Sequence, residues 1–265
     1  MMPTRLLLLT AALCALASSS YAADGQPPAE QQPVPAIRFF PRYDFGLGAD
    51  HLSSADARFV WDANLGGEMD FVDYRHGRAT FASRYEAVLG EQFRTFDPNQ
   101  GTYVLDGSLS LRERGVEIAA LFHHTSRHLS DRFKRSPVAW NMLGTRVEHQ
   151  IRGSGIAVAL RGDVLGVLSK SNVDYTWQTD GEVRVAVPVG SGTSLIGGGS
   201  ARLMGVDSTN RRRRQTGVRG EIGVRFAGER GAIELVMAAE RRPDAYPLEL
   251  TALSWLSAGF RFVSR

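Results

Sequence analysis

His124 and Ser126 stand two residues apart in a stretch whose even positions, Val116, Ile118, Ala120 and Phe122, are otherwise apolar. A serine hydroxyl attacks an ester carbonyl once a base takes its proton, and a neutral imidazole is suited to that task. The imidazole in turn needs an acceptor on its second ring nitrogen, which an Asn side-chain carbonyl can supply. Asn141 heads a second such row, ahead of the apolar Leu143, Val147 and Ile151. Residues two apart on an extended strand share a face with Cα atoms about 6–7 Å apart, within reach of a Ser–His hydrogen bond. Ser126, His124 and Asn141 are therefore candidate nucleophile, base and orienting group on adjacent strands, with His123, Thr125, Trp140 and Arg146 turned the other way. Polar groups on a face that otherwise meets hydrocarbon are costly, which favours a functional role. The alternative is that they sit at an interface or in water, where no role is needed.

Strands must carry these residues, because period-two alternation runs through most of the chain. From Phe59 to Phe71 the odd positions include Phe59, Trp61, Leu65, Met69 and Phe71, and the even ones Asp62, Asn64, Glu68 and Asp70. Ile233, Leu235 and Met237 alternate with Glu234, and Ile222 and Val224 with Glu221 and Arg225. The apolar-bearing segments are longer than the 5–6 residues usual in soluble sandwiches and match transmembrane barrel strands of about 9–11. Twelve strands are expected, near 37–48, 58–73, 79–90, 101–113, 116–127, 139–152, 155–168, 174–189, 193–205, 215–228, 231–241 and 250–264. Tight turns at 75–78, 114–115, 153–154, 190–192 and 228–230 alternate with longer connections at 49–57, 91–100, 128–138, 169–173, 206–214 and 242–249. An even strand number, with short turns on one side and long loops on the other, describes an all-β, antiparallel outer-membrane barrel. A large soluble barrel is the competing architecture. Pro41 makes the first strand the weakest expectation, since proline gives the ladder no donor.

The 265 residues are 43% hydrophobic and 22% charged, which argues against disorder, and a net charge of +3 without a basic stripe argues against nucleic acid. Arg5, the apolar run Leu6–Ala17 and the small residues up to Ala22 read as a signal peptide over 1–22. The one cysteine, Cys14, falls inside it. Residues 23–36, rich in Pro, Gln and Ala, read as a flexible periplasmic tail, and 37–265 as the barrel. Export to the bacterial outer membrane follows.

The stretch His124-Thr125-Ser126-Arg127-His128-Leu129-Ser130-Asp131, followed by Trp140-Asn141-Met142-Leu143-Gly144-Thr145-Arg146, resembles the active-site region of the outer-membrane phospholipase A family. That family carries H-x-S-N-G-x-S-D and then W-N-x-L-x-T-R. The resemblance implies a twelve-stranded barrel that hydrolyses acyl esters of membrane phospholipids in the outer leaflet, with Ser126, His124 and Asn141 in the roles given above. It also implies calcium as a cofactor, near the Leu129 carbonyl, Asp131 and Ser136, and activity as a homodimer. Two departures stand in this sequence: Arg127-His128 replaces Asn-Gly, and the Ser-to-Asn spacing is longer. The same segment is also similar to an uncharacterised exported barrel family with H-x-S-S-H-L-x-D. A lipid A esterase is a variant of the first reading. A non-enzymatic barrel, either a small pore or a structural surface protein, is the second.

Arg211, Arg212, Arg213 and Arg214 form a run in a long connection that could grip lipopolysaccharide phosphates or simply be solvated. Charges expected inside the barrel (Glu68, Asp70, Arg84, Glu86, Arg146, Glu148, Arg219 and Glu221) suggest a lumen crossed by ion pairs.

Overall fold

The computed structural model describes residues 37–264 other than 131, 132, 134, 135, 154 and 208; the expected signal peptide and tail lie outside the described residues. Twelve strands follow one another: β1 (Arg38–Leu52), β2 (Trp61–Asp73), β3 (Arg78–Gly90), β4 (Asp97–Glu113), β5 (Val116–Leu129), β6 (Val138–Gly153), β7 (Ile156–Ser171), β8 (Tyr175–Gly190), β9 (Thr193–Val206), β10 (Gln215–Ala227), β11 (Gly231–Arg242) and β12 (Leu253–Ser264). Each pairs antiparallel with its chain neighbours, and β1 closes on β12 from Gly46↔Val263 to Leu52↔Ser257. The barrel is closed, and the start of β1, Arg38–Phe45, extends past the end of β12.

Several strands run further than the apolar stripe predicted. β1 reaches Leu52, β4 begins at Asp97, β5 reaches Leu129 and β7 reaches Ser171. Ladder hydrogen bonds depend on backbone alone, so pairing continues beyond the last apolar side chain. One consequence corrects the expected alternation of connections: β7 and β8 are joined by residues 172–174 only, as short as a turn at the opposite end. Pro41 is accommodated where the β1–β2 register shifts between Phe39 and Arg42, a bulge that absorbs its missing donor. At the β4–β5 turn Arg114 (φ 50°) and Gly115 (φ 80°) are both left-handed, as a two-residue hairpin requires.

The polarity of the wall is reversed relative to a soluble fold. Leu109, Leu111, Ile118, Leu143, Ile222 and Met237 face outward and are exposed, while Asp50, Asp70, Arg146, Asp163 and Glu234 are buried inside. A soluble barrel would bury the first set and solvate the second, so that alternative is excluded.

Inside, ion pairs cross the lumen at successive levels. Toward the tight turns, Arg78 meets Glu117 (2.6 Å), Asp70 (3.1 Å) and Glu148 (3.1 Å), and Arg42 pairs with Asp44, Glu68 and Asp70. Further along, Arg219 reaches Asp50 (2.8 Å) and Glu240 (3.1 Å). A cavity of about 520 Å³ lies among charged side chains that include Arg84, Glu86, Asp180 and Arg202. Toward the long loops, two apolar clusters narrow the mouth. One gathers Leu121, Trp140, Met142, Leu165 and Tyr175, and the other gathers Leu52, Phe59, Val88, Trp255 and Ala245. Ala245 belongs to the β11–β12 loop and is fully buried, so this loop folds into the mouth.

Candidate active site

β5 and β6 lie side by side with His124 directly opposite Asn141, Thr125 opposite Trp140 and Ser126 opposite Ala139. Opposed residues of an antiparallel pair hold their Cβ atoms about 4.5–5.5 Å apart, so polar groups at such positions meet without strain. The expected facing holds. Phe122 and Leu143, which share the row of His124 and Asn141, are outward and 43% and 51% exposed. His123, Thr125, Trp140 and Arg146 turn inward and line the cavity.

His124 Nδ1 and Asn141 Oδ1 are 2.7 Å apart. Because a side-chain carbonyl can only accept, this bond places the proton on Nδ1 and leaves Nε2 with its lone pair. The amide orientation of Asn141 is fixed on its other side, where Nδ2 donates to Ser169 Oγ at 2.8 Å. Parity along β7 does not bring Ser169 to the site. The β6–β7 pairing steps from Asn141↔Ser169 to Met142↔Val167, leaving Leu168 as the extra residue of a bulge in β7. Strict alternation from Asp163, Leu165 and Val167 would turn Ser169 inward; the bulge turns it out to the site. Beside it, Gly144 lets β6 and β7 approach closely, since a Cβ there would lie 1.9 Å from the Val164 carbonyl oxygen.

Ser126 is half-buried on the same outward face, but no hydrogen bond joins it to His124 among the described residues. Asn141 holds the His124 ring sideways, toward β6. The serine Oγ instead lies 3.4 Å from Nε2 of His128, the next outward residue along β5. The His128 ring stands edge-on to Tyr103 at 5.5 Å, and Tyr103 packs on Tyr85 at 4.7 Å. In the sequence His128 stands only as a departure from a motif. Period two placed it on the serine's face and was the signal available. Arg127, the other departure, turns inward, where Nη1 donates to the Asp244 carbonyl (2.6 Å) and Nη2 to that of Ala245 (3.0 Å).

Of the expected calcium ligands, Leu129 ends β5 and Ser136 lies in the β5–β6 loop, while Asp131 lies outside the described residues. No cluster of three acidic, histidine or cysteine side chains forms among the described residues. The arginine run divides. Arg212 is turned inward against Asp174 (2.5 Å) and Asp244 (2.6 Å), so only Arg211, Arg213 and Arg214 face solvent.

No family model matches the chain, and no curated protein is significantly similar to it in sequence. Solved structures do resemble it. The Salmonella typhi outer membrane phospholipase (OMPLA), a dimer with bound calcium, superposes with a TM-score of 0.53 at 11% identity, covering 89% of this chain and 94% of that one. Outer membrane phospholipase A from Escherichia coli gives 0.53 at 10% identity, covering 86% and 98%. The fold is that of an outer-membrane barrel. At such identities the likeness concerns the path of the chain alone.

Proposed function

We propose that this protein is an outer-membrane lipid esterase of the phospholipase A type, cleaving acyl esters of glycerophospholipids in the outer leaflet. The observation that carries this reading is the His124–Asn141 bond on the outer wall, with Ser126 two residues away on the same face. In outer-membrane barrels the long loops are extracellular, which puts this end of β5 and β6 at the outer leaflet. Leu105 on β4 flanks His124, and Phe122 and Leu143 continue the wall toward the membrane centre, giving an acyl chain an apolar surface to lie along. A lipid reaches such a site from the leaflet without entering the lumen.

In the reaction, rotation of the Ser126 side chain brings its hydroxyl onto His124 Nε2, which takes its proton as Oγ bonds the carbonyl carbon. The carbonyl π pair moves onto oxygen. On collapse the ester C–O bond breaks, and the departing alkoxide takes the proton from His124. Water then repeats the sequence on the acyl-serine. Asn141 keeps His124 in the tautomer that can accept, and Ser169 keeps Asn141 from turning its amide. Calcium, which the family resemblance implies, would add a positive charge near the oxyanion; no step above depends on it. Interfacial activation by pairing of two copies belongs to the same reading.

Purified protein in detergent micelles, with and without calcium, should release fatty acid from phospholipid, and Ser126→Ala should abolish release. Equal release by both proteins would sink the proposal. Offering lipid A in parallel separates phospholipid cleavage from lipid A cleavage by product.

A second reading, a small non-enzymatic pore, draws on the charged cavity inside the barrel. Planar-bilayer conductance that persists in His124→Ala, together with absent hydrolysis, would favour it.

A further inference from the structure

Acyl transfer needs a hydrogen-bond donor about 2.7–3.1 Å from the developing oxyanion, and removing one such donor usually lowers kcat by about 10²–10³-fold. Serine hydrolases often take that donor from the backbone beside the nucleophile. Here the backbone is committed elsewhere. Ser126 is paired with Tyr103 on one side and Ala139 on the other, and Arg127 with Thr102 and Val138. In an antiparallel sheet flanked on both sides, such N–H groups donate to the neighbouring strands.

The side chains nearby narrow the choice. Arg127 points its guanidinium inward to the Asp244 and Ala245 carbonyls. Asn141 Nδ2 is engaged by Ser169. Among the described residues, His128 is the side chain within hydrogen-bond distance of Ser126 Oγ, at 3.4 Å through Nε2. His124, Ser126 and His128 thus form a row on one strand face, with the serine in the middle.

We infer that His128 is a second catalytic histidine, whose Nε2–H donates to the oxyanion formed at Ser126; this rests on the esterase reading. The two rings divide the work by tautomer. His124 carries its proton on Nδ1, toward Asn141, and offers Nε2 as a base. His128 carries a proton on Nε2, toward the serine, and offers a donor. As Oγ loses its proton to His124 and bonds the carbonyl carbon, negative charge shifts to the carbonyl oxygen, two bonds from Oγ and within the sweep of the His128 N–H. His128 gains and loses no proton in the cycle. Tyr103, edge-on to the ring and backed by Tyr85, limits that sweep. The residue that departs from the phospholipase motif therefore supplies a group the sheet backbone withholds.

The test uses the full chain refolded in detergent, with phospholipid micelles as substrate and heat-modifiable electrophoretic mobility as the check that each variant is folded. His128→Ala should lower kcat about 10²–10³-fold with KM changed only a few-fold. His128→Gln, which keeps an N–H near the same place, should recover most of that loss and retain the wild-type acid limb of the pH–rate profile. Wild-type kcat in His128→Ala would overturn the inference, as would a folded His128→Gln as inactive as the alanine variant. Loss of the acid limb in His128→Gln would overturn it too, by making His128 the base. Hydrolysis that survives Ser126→Ala would instead remove the esterase reading itself.

Discussion

Two histidine–hydroxyl pairs are interleaved on β5, His123 with Thr125 and His124 with Ser126, and the pleat sends them to opposite faces. The inward pair is the more complete by hydrogen bonding. His123 Nε2 is 2.8 Å from Thr125 Oγ1, and its Nδ1 is 2.6 Å from Asp106 Oδ1. Asp106 also accepts from Arg146 at 2.9 Å, and Arg146 binds Asp163 with two bonds of 2.9 Å. Every member is tied to another, and all are buried or nearly so. Such a network fixes the barrel interior and leaves its hydroxyl engaged. The outward pair is anchored at one end only, through Asn141 and Ser169, and its serine is held loosely. A nucleophile has to be free to move onto its substrate, so the less complete constellation is the better candidate for chemistry. Hydrogen-bond completeness here marks architecture rather than activity.

The sharpest way to break this contrast is a pair of substitutions one residue apart. Ser126→Ala should lower fatty-acid release by at least about 10³-fold, whereas Thr125→Val should leave turnover within a few-fold of wild type. The reverse outcome would move the chemistry into the lumen. Arg146→Met removes the hydrogen-bonded cation from the buried Asp106 and Asp163 and leaves them Arg161, 3.6 and 3.5 Å away, so it should destabilise the barrel by about 1.5–3 kcal/mol in denaturant titrations monitored by mobility shift. An unchanged unfolding midpoint would mean that the inner network is not structural. Asn141→Ala should keep the fold and lower kcat on the order of 10²-fold, because the His124 tautomer is no longer held.

The mouth of the barrel extends the contrast to pH. Asp174, in the β7–β8 connection, is buried, which alone would raise its pKa; the Arg212 guanidinium and the Asn210 amide nevertheless hold the carboxyl below its ordinary range. A carboxylate depressed in the folded state stabilises fully above its unfolded value, about 4, and that contribution is lost as pH falls below it. Protease sensitivity of the 209–214 segment should therefore be flat from neutral pH down to about 4 and rise below it, and Arg212→Ala should show the raised sensitivity already at pH 7. Equal sensitivity of the variant and wild type at pH 7 would remove Arg212 from the clamp. The smallest effect belongs to Ser169→Ala, which removes one hydrogen bond to an amide that can still reach His124. A cost of about 1 kcal/mol, or a several-fold fall in kcat, is expected, and no change would show that Asn141 needs no second anchor.

The barrel, its strand count and the facing of most residues were legible in the sequence, because a side chain's face follows from the parity of its position along a strand; Phe59, expected on the outer row of β2, instead precedes that strand and is buried in the mouth. His124, Ser126 and Asn141 were placed outward, and His123, Thr125, Trp140 and Arg146 inward, on that rule alone. Tertiary structure decided what parity cannot express. The bulge at Leu168 reversed the face of Ser169, because an extra residue shifts every later side chain by half a period. Cross-strand register set His124 opposite Asn141, a separation of 17 positions that no local pattern encodes. Arg212 left the solvated run through partners 38 and 32 positions away, Asp174 and Asp244. Which histidine meets the serine was likewise a matter of side-chain direction: both imidazoles flank Ser126 at equal spacing along β5, and only the pull of Asn141 from the neighbouring strand distinguishes them.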